Sequence, residues 1–119
     1  MKKYKHVYTA KNVNLESKEK IKLLIRASNY LGDNVFLTAV IHNLYDTNKI
    51  AVNVASKHER IYCNNPYLDR TITAENADYV ITQNYNWNWK ENCNHIIQAV
   101  TDNIAYNLNM KIPTKYLKP

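Results

Sequence analysis

The chain has 119 residues and a formal net charge of +6 at pH 7, and this length suits one domain. Its one glycine, Gly32, excludes the glycine-rich phosphate loops of nucleotide-binding folds and the nucleophile elbow of serine hydrolases, because each of those motifs needs more than one glycine. Apolar residues make up 45% and charged residues 22% of the chain, as in globular domains. We therefore expect a single domain over residues 1–119, whose basic ends, about 1–11 and 111–119, can be flexible.

The start of the chain predicts a strand followed by a helix. Residues 4–10 contain Tyr, Val and Thr, which are typical of a strand. Residues 15–31 form a predicted helix with Asn14 as its N-cap and Gly32 just past its end. Its inward positions recur at helical spacing at Ile21, Leu24, Ile25, Ser28 and Leu31. Leu23 lies outside this stripe, which indicates an apolar side chain exposed at a self-association surface.

Residues 35–44 fit two structures. Their β-branched content suits a strand. Their apolar spacing also suits a helix, through Leu37, Val40, Ile41 and Leu44. A turn signal at 46–49, followed by alternating apolar residues over 50–55, favours a hairpin. We therefore predict paired strands over 35–44 and 50–55, with a third strand at 60–64.

The second half of the chain predicts a loop, a long strand and a helix. Residues 66–78 are the loop, and residues 79–89 alternate as a strand that places Tyr85, Trp87 and Trp89 on one face. The helix spans about 92–109. Its apolar stripe consists of Cys93, Ile96, Ile97, Val100, Ile104 and Leu108.

These elements predict an α+β fold in which two amphipathic helices cover one face of an antiparallel sheet. If residues 35–44 are instead helical, the alternative is a winged helix-turn-helix with residues 71–89 as the wing.

Catalytic, metal and cofactor sites are not expected. The four histidines lack the spacing of a metal site, and no apolar segment resembles a signal peptide or a membrane span. We therefore predict a cytoplasmic, non-enzymatic protein without a membrane partner, in which Cys63 and Cys93 are buried thiols. His58 and Arg60 could act in a nuclease as acid–base group and phosphate clamp, but an ordinary charged loop is the favoured interpretation.

Positive charge is concentrated at the two ends of the chain. The net charge is +6 over residues 1–26, −3 over 27–110 and +3 over 111–119. In the predicted first helix, Lys18, Lys22 and Arg26 follow one another at intervals of four residues and form a basic row. Neighbouring chain termini would join the two basic ends into one face that attracts a polyanion. The predicted nucleic-acid contacts are Lys5, Lys11, Lys18, Lys22, Arg26, Trp89 and Lys90.

The composition favours a small basic protein that binds nucleic acid, DNA or RNA, and forms a homodimer. Abundant Asn, Lys, Ile and Tyr are read from AT-rich codons, which is typical of a low-GC bacterium, or of a plasmid or phage living in one. The alternative is a phage or mobile-element accessory protein that inhibits a host protein or sequesters an anionic nucleotide in a dimer cleft. Salt distinguishes the two, because binding through several lysines weakens steeply with salt and an apolar protein interface does not.

Overall fold

Three neighbouring parallel strands make up most of the sheet, and a short antiparallel strand lies at one edge. The computed structural model describes residues 7–9, by their backbone, together with residues 20–83 and 95–118. Its strands are β1 (Val7–Thr9), β2 (Ile21–Arg26), β3 (Ile50–Ala55) and β4 (Tyr79–Thr82). Its helices are α1 (Leu31–Asp46) and α2 (Ile96–Leu108), and a 3₁₀ helix covers Glu59–Tyr62. The strand order is β1-β4-β2-β3; β2 runs parallel to both of its neighbours, and β1 runs antiparallel to β4.

Both helices cover the same face of the sheet. Alternate residues of β2, here Leu23 and Ile25, point to this face and are completely buried. They share one core with residues of β3 and β4, and with an apolar stripe from each helix. The α1 stripe is Leu37, Val40, Ile41 and Leu44, and the α2 stripe is Ile97, Val100, Ile104 and Leu108.

The opposite face of the sheet is covered by the connection between β3 and β4. Leu24 of β2 and Val80 of β4 pack there against Ile72 and Ala77 of that connection. The first part of this connection packs in the core shared with the helices, through Tyr62, Tyr67 and Leu68, and its later part, with Ile72 and Ala77, covers the opposite face. As a result, β2 has buried side chains on both faces, Leu23 and Ile25 toward the helices and Leu24 on the opposite side, which is typical of an inner parallel strand.

The predicted antiparallel sheet is wrong, because helix and strand exchange places in the first half of the chain. Residues 21–26 lie in the central strand, and residues 35–44 lie inside α1. The turn at 46–49 exists, with Asn48 at a left-handed φ of 60°. It connects α1 to β3, however, so β3 pairs in parallel with β2 and no hairpin forms.

The winged helix-turn-helix alternative is also wrong, since β4 is an inner strand of the sheet and residues 71–78 contain no strand. Residues 60–64 begin in the 3₁₀ helix and form no strand, and Gly32 lies in the first turn of α1. The predicted strand at 50–55 is confirmed as β3, the first four residues of the predicted strand 79–89 form β4, and the predicted helix at about 92–109 is confirmed as α2 over Ile96–Leu108. Most of the predicted aromatic strand, residues 84–89, lies outside the described residues. In the part of the chain described, neither helix has the length and apolarity needed to cross a bilayer.

Candidate nucleic-acid interface

A row of aromatic rings lies along the last turns of α1. The His42 ring is stacked between Tyr67, with centroids 4.2 Å apart, and Tyr116, with centroids 3.6 Å apart. Tyr45, one helical turn after His42, meets Tyr67 at 4.9 Å in a tilted contact. Tyr45 is 41% exposed. We call these four rings the ring row.

Asn43 fastens the C-terminal segment to α1 and so positions Tyr116. Its Nδ2 donates to the backbone oxygen of Tyr116 at 3.0 Å, and its Oδ1 accepts from the backbone N–H groups of Lys115 and Tyr116, each at 2.8 Å. Asn43 is buried, and so is Ile112 earlier in the same segment. The segment forms no helix or strand, but these contacts fix its position against α1.

Four lysines surround the same end of α1. The ammonium group of Lys20 lies 5.6 Å from the centroid of the Tyr45 ring, within cation–π range. Lys49, Lys111 and Lys115 line a groove of about 230 Å³. The other residues lining this groove are Asn43, Asp46, Thr47 and Pro113. We call the four lysines and the ring row together the lysine–ring surface.

One carboxylate offsets part of this positive charge. The Lys115 ammonium lies 2.6 Å from a carboxylate oxygen of Asp46. This hydrogen bond, helped by charge attraction, lowers the pKa of Asp46 and raises the pKa of Lys115. Both side chains are accessible to water, so the pair adds little to stability. Within the groove, three lysines stand against one aspartate, so the groove stays positively charged. Lys20, which does not line the groove, also interacts with the carboxylate of Asp69.

The predicted basic row does not lie on a helix. Lys22 and Arg26 are exposed on the face of β2 opposite the helices, and they form no helical row because residues 21–26 are a strand. Acidic residues adjoin this face. The backbone N–H of Lys22 donates to the Asp78 carboxylate at 2.9 Å. Hydrogen bonds from Thr71, with a smaller contribution from nearby lysine charge, lower the pKa of Asp69.

The remaining predicted contacts lie outside the described residues; they are Lys5, Lys11, Lys18, Trp89 and Lys90. The lysine–ring surface is not apparent from the sequence, because its parts come from distant positions in the chain. Two local signals were present in the sequence. Residues 111–119, which contain Lys111 and Lys115, are basic, and the spacing of His42 and Tyr45 places two rings on the same side of a helix.

A second polar cluster joins the carboxyl ends of the strands to the start of α1. The Asn34 side chain is fully buried. Its Nδ2 donates to the backbone oxygens of Ser28 and Tyr30, both at 2.8 Å, and its Oδ1 accepts from the hydroxyls of Ser56 and Tyr62, both at 2.7 Å. These bonds use the full capacity of the amide. Burial also raises the pKa of Tyr62 well above its ordinary value.

Gln83, the residue after β4, holds the same junction. Its Oε1 accepts from the backbone N–H of Ser28 at 3.0 Å, and its Nε2 donates to the backbone oxygen of Asp33 at 3.0 Å. The loop between β2 and α1 is therefore fixed by two side-chain amides, one from the helix and one from the sheet.

The expectation of a buried thiol at Cys63 is wrong, since that residue is exposed; Cys93 lies outside the described residues. Within the described residues, no group of three or more His, Cys, Asp or Glu side chains could hold a metal ion. Comparison of the chain with family models, with curated proteins and with solved structures finds no match.

Proposed function

We propose that the protein binds nucleic acid through the lysine–ring surface. The observation that carries this proposal is the meeting of four lysines with the ring row at one end of α1, where the Tyr45 ring is exposed. This location differs from the one predicted from the sequence, although the ligand class is the same. The predicted homodimer, the cytoplasmic location and the phage, plasmid or low-GC origin stay predictions.

The lysines supply contacts to phosphate groups. Lys49, Lys111 and Lys115 line one groove, so a nucleic-acid backbone lying there meets three ammonium groups. Each neutralised phosphate releases condensed counterions, and this release favours binding at low salt. Asp46 repels phosphate, but its pairing with Lys115 reduces that repulsion.

The rings favour single strands over duplexes. Unpaired bases stack on aromatic side chains, and each stacked base contributes about 1–3 kcal/mol. Tyr45 has an accessible ring beside Lys20. A base can therefore contact the ring while the adjacent phosphate meets the ammonium group, an arrangement that a paired base inside a duplex does not permit.

The test is fluorescence anisotropy with a labelled single-stranded oligonucleotide and its duplex, measured over a series of salt concentrations. In the double variant Lys49→Gln/Lys111→Gln, the slope of log K against log salt should fall by roughly 1.5 units for the single strand. The matched control, Lys57→Gln/Arg60→Gln, also removes two positive charges, but from the segment that follows β3. It should keep the wild-type slope. Equal slopes for wild type and Lys49→Gln/Lys111→Gln would contradict the proposal.

A further inference from the structure

A cleft lies beyond the carboxyl ends of β2 and β3, separate from the lysine–ring surface. Its volume is about 410 Å³, within the range typical of small-molecule sites. The residues lining it are Leu31, Lys57, His58, Glu59, Arg60 and Ile61. We propose that this cleft binds a nucleoside di- or triphosphate, with the phosphates on its basic side chains and the base against its apolar wall.

The charge of the cleft suits a phosphate chain. Lys57 and Arg60 are exposed cations, and Glu59 is the one acidic side chain in the lining. The guanidinium group of Arg60 can donate two parallel hydrogen bonds to one phosphate, whereas Lys57 acts as a point charge. An anion with several charges gains more from this set than a single carboxylate does.

The apolar wall suits a flat ring. Leu31 is 59% exposed and lines the cleft beside Ile61. Tyr30, the residue before it, is 75% exposed. Exposed apolar surface of this kind next to a charged cleft marks a binding site more often than an isolated exposed leucine does. A nucleobase offers the complementary planar surface, which inorganic phosphate lacks.

Hydrogen bonds hold the walls of the cleft in place. The backbone N–H of His58 donates to the Ser56 hydroxyl at 2.9 Å, and that hydroxyl donates to the buried Asn34 amide. The His58 Nε2 lies 2.8 Å from the backbone oxygen of Asn29. Because a carbonyl oxygen only accepts, Nε2 carries the hydrogen, and Nδ1 is the acceptor of the neutral ring. The loops after β2 and β3 are thus joined to each other before any ligand binds, which lowers the entropic cost of binding.

The position of the cleft agrees with a general property of open parallel sheets. Ligands of such sheets bind beyond the carboxyl ends of the strands, where the loops after neighbouring strands converge. Here the loop after β2 and the loop after β3 meet through the Asn34, Ser56 and His58 contacts. The glycine-rich loop of classical nucleotide sites is absent from this chain, so phosphate recognition would rest on side chains.

The test is isothermal titration calorimetry of the full chain with ATP, and with pyrophosphate and adenosine as its two fragments. ATP should bind more tightly than either fragment. Arg60→Gln should weaken ATP binding by at least about tenfold. Leu31→Ser should weaken ATP binding while leaving pyrophosphate binding unchanged. Both side chains are exposed, so the variants should fold, and thermal unfolding would verify this.

The control is Lys49→Gln/Lys111→Gln, which should bind ATP as the wild type does, while Arg60→Gln should bind oligonucleotide as the wild type does. These crossed measurements separate a failure of this proposal from a failure of the proposed function. Absence of heat with millimolar ATP, or equal ATP affinity for wild type and Arg60→Gln, would overturn the nucleotide site. Loss of ATP binding in Lys49→Gln/Lys111→Gln with retention in Arg60→Gln would overturn it as well, because the nucleotide would then occupy the lysine–ring surface.

Discussion

Replacing Asn43 with alanine tests whether one amide holds the C-terminal segment on α1. The wild-type side chain makes three hydrogen bonds to the backbone of Lys115 and Tyr116. A neutral hydrogen bond contributes about 0.5–1.5 kcal/mol net, so three give an upper range of about 1.5–4.5 kcal/mol. The segment lies at the surface, and its freed backbone groups can bind water. We therefore expect a loss in the free energy of unfolding of about 1.5–3 kcal/mol.

Replacing Asn43 should also loosen the C-terminal segment itself. Once Asn43 is replaced, the Tyr116 ring loses the backbone bonds that hold it 3.6 Å from His42. Urea denaturation measures the free energy of unfolding, and limited trypsin digestion under native conditions measures how fast the chain is cut after Lys111 and Lys115. We expect both cuts to accelerate relative to cuts elsewhere in the chain.

Asn107→Ala is the matched control, since the Asn107 amide bonds the backbone oxygen of Asn103 at 2.8 Å within its own helix. It should change the free energy of unfolding by less than about 0.5 kcal/mol. If Asn43→Ala unfolds at the same urea concentration as this control and its trypsin cuts keep wild-type rates, the fastening role of Asn43 is refuted.

Two further predictions concern pH. The pKa of Asp46 is lowered in the folded protein, so its pairing with Lys115 stabilises the fold above the unfolded carboxyl pKa, and this contribution is lost as the pH falls through the lower folded value. Because both side chains are accessible to water, Asp46→Asn should flatten the acid side of a stability–pH curve only slightly, and a steeper acid side in the variant would count against the pairing. Burial raises the pKa of Tyr62, so stability should fall as the pH rises above the ordinary tyrosine value of about 10. Tyr62→Phe should reduce this loss of stability at alkaline pH. Near neutral pH it should lower the free energy of unfolding by about 1 kcal/mol, because the hydrogen bond to Asn34 is missing. Urea denaturation at several pH values measures both effects.

The fold illustrates how a central parallel strand can imitate a helix in sequence. Ile21, Leu24 and Ile25 match the spacing of one helical face, and Leu23 does not fit that face. In the structure all four are buried, because the helices cover one side of β2 and the β3–β4 connection covers the other. Leu23 was thus the residue that distinguished the two interpretations, and its burial depends on distant elements that the local pattern does not contain.

The segment 35–44 shows the opposite error. Its helical spacing was visible, and all four apolar positions of that spacing are fully buried in α1. The turn that followed favoured a hairpin, although a turn of this kind ends helices as readily as strands. By contrast, β3 and α2 were predictable, because their apolar patterns repeat with one period over their whole length.

The candidate site was less predictable than the fold. Net charge identified the two ends of the chain as basic, but the acidic neighbours of Lys22 come from the connection before β4. The ring row joins residues from α1, the β3–β4 connection and the C-terminal segment. Tertiary packing brings these residues together, so a local stretch of sequence contains no signal for their contacts.

The central position of β2 sets an order for folding. Leu23 pairs with Val52, 29 positions later, and with Tyr79, 56 positions later. Closing a loop of twice the length costs about 0.6 kcal/mol more entropy, and the shorter closure also gains the packing of α1 against β3. The β2–α1–β3 unit should therefore form first and present the free edge of β2 as a template onto which β4 and then β1 assemble. Until β4 pairs with it, that edge can pair with strands of other molecules. We therefore expect misassembly to be most frequent during synthesis, when many incomplete chains are close together.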